Sequence, residues 1–170
     1  MSSRNNILKA IAAARYTAVS KPVYSGSALE EIDTLAAFLD ASQRNGSEIV
    51  KVEDRDHAMA YFKIQSGSEA LLLESLLGVA ENGAIWLDEA SLPGRDAPFA
   101  CLHLFAVLSA RDIVASMHDA YARLQMWHNG PDFPGFGVFI AGPSKTADIE
   151  QTLVMGAQGA KKQTILLIST

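Results

Sequence analysis

Apolar positions along this chain follow two rhythms, one helical and one continuous, and the alternation between them predicts the elements. In "MSSRNNILKAIAAARY", Ile7, Leu8, Ile11 and Ala12 recur at helical spacing, which predicts an amphipathic N-terminal helix. "TAVSKPVYSGS" follows, and its Pro22, Gly26 and serines read as a linker. Leu29, Ile32, Leu35, Ala36 and Leu39 share one face of a second helix, with Gly46 placed to end it in the left-handed conformation. "EIVKV" reads as a strand, and "DRDHAMAYFKIQSG" as a helix with aspartates in its first turn. The next stretch, "SEALLLESLLGVAENG", fits a buried strand or a helix equally.

Further on, "AIWL" and "FACLHLFAVL" predict buried strands on either side of the loop "DEASLPGRDAP". Ser109 and Asp112 have the Ser-x-x-acid spacing of a helix start, and Ile113, Val114, Met117, Tyr121 and Leu124 would be its apolar face. "WHNGPDFPG" is a predicted loop, "FGVFIA" a strand, "ADIEQTLVMGAQG" a helix and "QTILLI" a last strand. Continuous apolar strands alternating with amphipathic helices predict an α/β fold, a mainly parallel sheet with helices on both faces. The division expected is an N-terminal helix and linker over 1–27 and one α/β domain over 28–170.

Composition sharpens this picture. At 170 residues, 49% hydrophobic and 19% charged, the chain can bury about 70% of its unfolded surface and is not a disordered sequence. A net charge of −5 without a basic run argues against nucleic acid as a partner. No apolar run is long enough to cross a bilayer, and the cytoplasm is the expected location. The single cysteine, Cys101, excludes an internal disulfide and a cluster carried by this chain alone, and burial in a strand would quiet it as a nucleophile. His57, His103, His118 and His128 lie too far apart for a zinc pattern, so no metal is expected.

The turn "GPSKT" is the best candidate for a site. A strand would deliver Gly142 and Pro143 to the carboxyl edge of a sheet, where such folds bind ligands. Amide groups of a following helix, the hydroxyls of Ser144 and Thr146 and the charge of Lys145 would then hold an anion. A second reading is plainer: Thr146 or Asp148 caps a helix, with Gln151 closing a capping box. It is not a nucleotide P-loop, because Ser144 and Phe139 stand where glycines are needed.

The run "GPSKTADIEQTLVMGAQGAKK" resembles the C-terminal signature of the lactate utilization protein C family, the LUD-domain proteins, with Gly142 through Glu150 matching position by position. "VAENGAIWL" and the His103 strand "CLHLFAVL" are weaker matches. Asn82 and Ala84 stand in place of two threonines, and Ala157, Gln158 and Ala160 in place of Val, His and Pro, changes that a binding role survives more easily than a catalytic one.

The resemblance implies a Rossmann-like fold similar to the sugar-phosphate isomerase and CoA-transferase superfamily. It also implies a place in a system oxidising L-lactate to pyruvate, with iron–sulfur clusters on partner proteins and none on this chain. The site expected is an anion site at Gly142, Pro143, Ser144, Lys145, Thr146 and Asp148, faced by Asn82 and Gly83, with Glu150 and Gln158 as further pocket residues; Arg95, in the loop between two strands, either pairs with a substrate carboxylate there or is an ordinary exposed arginine. Glu81 beside the glycine turn is the candidate carboxylate of a self-sufficient acyl-transferring or isomerising enzyme, or simply a solvated turn residue. His103 is a candidate base, or a hydrogen-bonded core residue. A third possibility is a degenerate member that only scaffolds a complex.

Overall fold

The computed structural model describes residues 3–14, 20, 33–128, 135–146 and 154–169. Most of the predicted linker, the residues 29–32 of the second predicted helix, Asp148 and Glu150 lie outside them.

Helix α1 (Ser3–Ala13) buries none of its side chains. Helix α2 (Thr34–Arg44) starts where the Asp33 carboxylate accepts the Ala36 N–H at 3.0 Å, and ends at Asn45 and Gly46, whose φ is +91°. Strand β1 (Glu48–Val52) leads to α3 (Arg55–Gln65), which Asp54 caps through the His57 N–H at 2.9 Å. The ambiguous stretch resolves into two strands, β2 (Ala70–Glu74) and β3 (Leu77–Val79), and β4 (Ala84–Asp88) returns antiparallel to β3.

Three predicted elements differ. Phe99 and Ala100 do not belong to a strand: Pro98 sits in the first turn of a one-turn helix, α4 (Ala97–Ala100), and β5 (His103–Ser109) begins only at His103. The helix expected from Ser109 starts later. Ile113 and Val114 form β6 (Ile113–Val114), paired with Gly78 and Val79, because sheet pairing there outweighs the helical spacing. Helix α5 (Met117–His128) begins with its own capping box: the Ser116 N–H donates to Asp119, and the Asp119 N–H donates to the Ser116 hydroxyl. After β7 (Gly137–Ile140) the predicted helix over 147–159 also fails at its end. Val154 and Met155 form β9 (Val154–Met155), antiparallel to β8 (Lys145–Thr146), and the chain finishes in β10 (Lys162–Ile168).

The central sheet, in the order β1-β10-β5-β2, is parallel throughout. A second, mixed sheet, β6-β3-β4-β7, was not legible in the sequence. The two sheets pack on each other: Leu73, Leu104, Leu108, Ile165 and Leu167 meet Ile85 and Leu87, and Phe38 of α2 joins the same cluster. On the outer face of the parallel sheet, Phe105, Val107 and Leu166 pack under Ala58, Tyr61 and Phe62 of α3. The outer face of the mixed sheet, Leu77, Val79 and Trp86, packs under Ala120 and Leu124 of α5. Strands β5 and β10 are apolar at successive positions because both of their faces are buried.

Candidate functional site

A cavity of about 310 Å³ lies where the end of β7 meets the beginnings of β5 and β10. One wall is the turn Ala141–Lys145, the opposite wall is Pro98 and Phe99 of α4 with Leu104 of β5, and Gln158, Gly159, Ala160 and Gln163 complete it. Leu104 and Gln163 are the second residues of their strands, so the cavity opens at the amino ends of the parallel sheet. This corrects the expected carboxyl edge. Strand β7 belongs to the second sheet, and its carboxyl end is carried to the opposite edge of the first.

The turn is held by its own hydrogen bonds. The Ser144 N–H donates to the Ala160 carbonyl at 2.9 Å, and the Ser144 carbonyl accepts the Gly156 N–H at 2.9 Å. The Ser144 hydroxyl accepts the Gln158 N–H at 3.3 Å, a bond that does not use the hydroxyl's own hydrogen. Gly142 has φ +88°, and a Cβ there would come within 2.7 Å of the Asn45 carbonyl oxygen, so the close approach to α2 requires glycine. Lys145 is exposed, and its ammonium donates to that same Asn45 carbonyl, capping the end of α2 where a cation suits the helix dipole. Lys145 and Thr146 are strand residues, and 147–153, where the expected helix would begin, lie outside the described residues.

The other candidates are distributed. Among the described residues Asn82 and Gly83 do not line the cavity; the Asn82 carbonyl accepts the Asn45 side-chain amide at 2.6 Å, which links the turn to Asn45. Gly83, at φ +67°, presses against the α2 backbone, where a Cβ would meet the Ser42 nitrogen at 2.5 Å. The Glu81 carboxylate accepts the Met117 N–H at 2.8 Å at the start of α5, and Glu81 lines a different cavity of about 290 Å³ with Thr34, Asp40 and Arg44. Arg95 pairs with Glu89 at 2.7 Å and lies over the Phe136 ring. Cys101 is half-buried, and burial pushes its thiol pKa up.

His103 stands on the α3 face of the parallel sheet, away from the cavity, stacked on Phe105. Its Nε2 lies 2.8 Å from the Thr164 hydroxyl, which donates to Glu48 at 3.1 Å. A hydroxyl has one hydrogen to give, so the Thr164 oxygen accepts from a protonated Nε2. Burial lowers the His103 pKa, Lys162 lowers it further, and Glu48 acts in the opposite sense.

Gln163, Asn45, Pro98, Phe99 and Leu104 were not expected at the site. The signal for Gln163 was present, a lone amide opening an otherwise apolar strand in "QTILLI". Among the described residues no group of three or more His, Cys, Asp or Glu gathers as a metal site.

The sequence pattern of the LUD domain matches residues 11–168. The chain belongs to the LUD domain family. Lactate utilization protein C of Geobacillus sp. (strain WCH70) is 33% identical over 92 residues, 54% of this chain and 38% of that protein. The protein of the same name from Shouchella clausii is 29% identical over 90 residues, covering 53% and 39%. The match thus spans about two fifths of the length of these relatives. A crystal structure of a DUF162 family protein from Deinococcus radiodurans superimposes with a TM-score of 0.57 at 13% identity, over 79% of this chain and 96% of that one. That likeness is one of fold. In this LUD domain, the segment 142–145 walls the larger cavity.

Proposed function

We propose that this LUD domain is a component of an L-lactate utilization system and binds a small organic anion in the cavity walled by Gly142, Pro143, Ser144 and Lys145. The supporting observation is the meeting of two independent facts: the "GPSK" segment that resembles the family signature also lines a cavity of about 310 Å³. The chemistry fits a short organic acid better than a phosphate. The Ser144 amide is already committed to Ala160, while the Ser144 hydroxyl and the two remaining N–H groups of Lys145 are side-chain donors at the turn. Phe99, Leu104 and Ile140 supply apolar wall for a carbon chain. The relatives' names support the pathway, and in this reading an iron–sulfur partner accepts the electrons.

The test is thermal stability against L-lactate, pyruvate, coenzyme A, sugar phosphates and inorganic phosphate, with Lys145→Ala alongside. A ligand at about a hundred times its dissociation constant stabilises by about 2.7 kcal/mol, roughly 5–10 °C for a chain of this size. A shift with an organic acid that is reduced in Lys145→Ala is the expected result. Equal shifts in both proteins would remove Lys145 from the site.

A further inference from the structure

Gln163 is 2% exposed, and its Nε2 has no hydrogen-bond partner among the described residues. Its Oε1 is occupied, accepting the Ser47 hydroxyl at 2.7 Å. With Oε1 taken by the Ser47 hydroxyl, the NH2 group is the unpaired end, and Gln163 is a lining residue of the larger cavity. Buried amide groups are almost always paired, because an unpaired donor keeps the whole cost of its lost hydration. An unpaired donor on a buried residue that lines the cavity is therefore half of a hydrogen bond.

We infer that the Gln163 amide is the recognition group for a carbonyl oxygen, and that the ligand is a short oxo or acyl acid that enters carbonyl first. The charge distribution sets that orientation. Among the described residues no cationic side chain lines the cavity beside Gln163 and Leu104, and the one cation of the described lining is Lys145, exposed at the turn. A carboxylate pushed against Gln163 would lose its hydration without a countercharge, whereas a neutral carbonyl needs only the N–H donor. The acid group then stays near Lys145 and the Ser144 hydroxyl, and the carbon chain lies on Phe99 and Leu104. Taking about 30 Å³ per atom, the share of a water in the liquid, the cavity holds roughly ten non-hydrogen atoms. The inference rests on this cavity being the ligand site and is independent of the lactate pathway.

Two probes of equal chain length separate the cases: levulinate, a short acid with a ketone near its far end, and valerate, which lacks the ketone. Both are titrated into the full chain while the side-chain amide resonances of Gln163 are followed, with inorganic phosphate as a third probe. The expected result is a saturable shift of the Gln163 resonances with levulinate and about tenfold weaker binding of valerate, equivalent to about 1.4 kcal/mol. Gln163→Met should remove the preference. Equal binding of the two acids overturns the inference, and so does a Gln163 amide that no probe moves, which would mean that it holds only water. If Gln163→Met does not fold, the resonances of the unaltered chain decide alone. Binding of valerate and phosphate that depends on Lys145 but leaves Gln163 unmoved would keep the anion site and reject the carbonyl. Levulinate binding that depends on Gln163 and survives Lys145→Ala would do the reverse.

Discussion

Glu81 shows how one residue carries a structural and a chemical reading until its neighbours are known. Beside a glycine turn it has the look of a reactive carboxylate, yet its oxygen is occupied by the Met117 N–H, and its negative charge sits at the positive end of α5. Glu81→Ala should cost about 1 kcal/mol of stability in urea unfolding, the usual loss of a helix cap. Glu81→Gln, which keeps an acceptor, should lose less, and neither variant should change ligand shifts at the Ser144 cavity. Loss of those shifts in Glu81→Gln would return the residue to the site. Lys145 has the converse position: it caps α2, and its remaining donors stay available at the turn.

At the scale of elements, the start of β10 between β1 and β5 creates a pH-sensitive contact. Glu48, Thr164 and His103 come from three strands and meet only because the register sets Glu48 opposite Thr164 and Lys162 opposite His103. Burial favours the neutral imidazole, so the folded pKa lies below that of the unfolded chain. The unfolded chain then binds more protons as pH falls, and the stabilisation present above about pH 6.5 is lost as pH drops through the folded value. Urea midpoints should fall from about pH 7 to pH 5 in the unaltered protein and fall less in His103→Gln. His57 works in the other direction: its hydrogen bond to Asp54 raises its pKa, giving a stabilisation present at low pH and lost as pH rises through that value. A slope unchanged in His103→Gln would assign the pH dependence elsewhere.

For the whole molecule, the contact that matters most is the one between the two sheets. Phe38 is fully buried where α2, β4 and the parallel sheet converge, in a cluster with Leu73, Ile85 and Leu108. Phe38→Ala should cost about 3–5 kcal/mol by transfer and cavity terms together, a large fraction of the roughly 5–15 kcal/mol of a typical domain. Chemical denaturation measures this directly, and a loss below about 1 kcal/mol would mean that the sheets close over the gap. The larger cavity depends on the same arrangement, since its walls come from β7 of one sheet and from β5 and β10 of the other.

The amino-acid sequence by itself determined what local chemistry controls. The end of α2 follows from Gly46 and the start of α3 from Asp54, while α2 begins only after Asp33 and not at Leu29 as its apolar spacing suggests; the buried parallel strands follow from apolar runs such as "TILLI" that have no polar face. The signature at Gly142 to Lys145 marked the segment that walls the larger cavity. Only the tertiary structure decided what depends on partners distant in the chain. Ile113 and Val114 became a strand because Gly78 and Val79 were there to pair with, overriding a helical pattern that their own neighbours support. The same folding put Glu81 and His103 outside the larger cavity and brought Gln163 into it, since which face and which edge a strand residue occupies is fixed by sheet order. Sheet order is set by the packing of the whole core, and no local stretch of sequence encodes it.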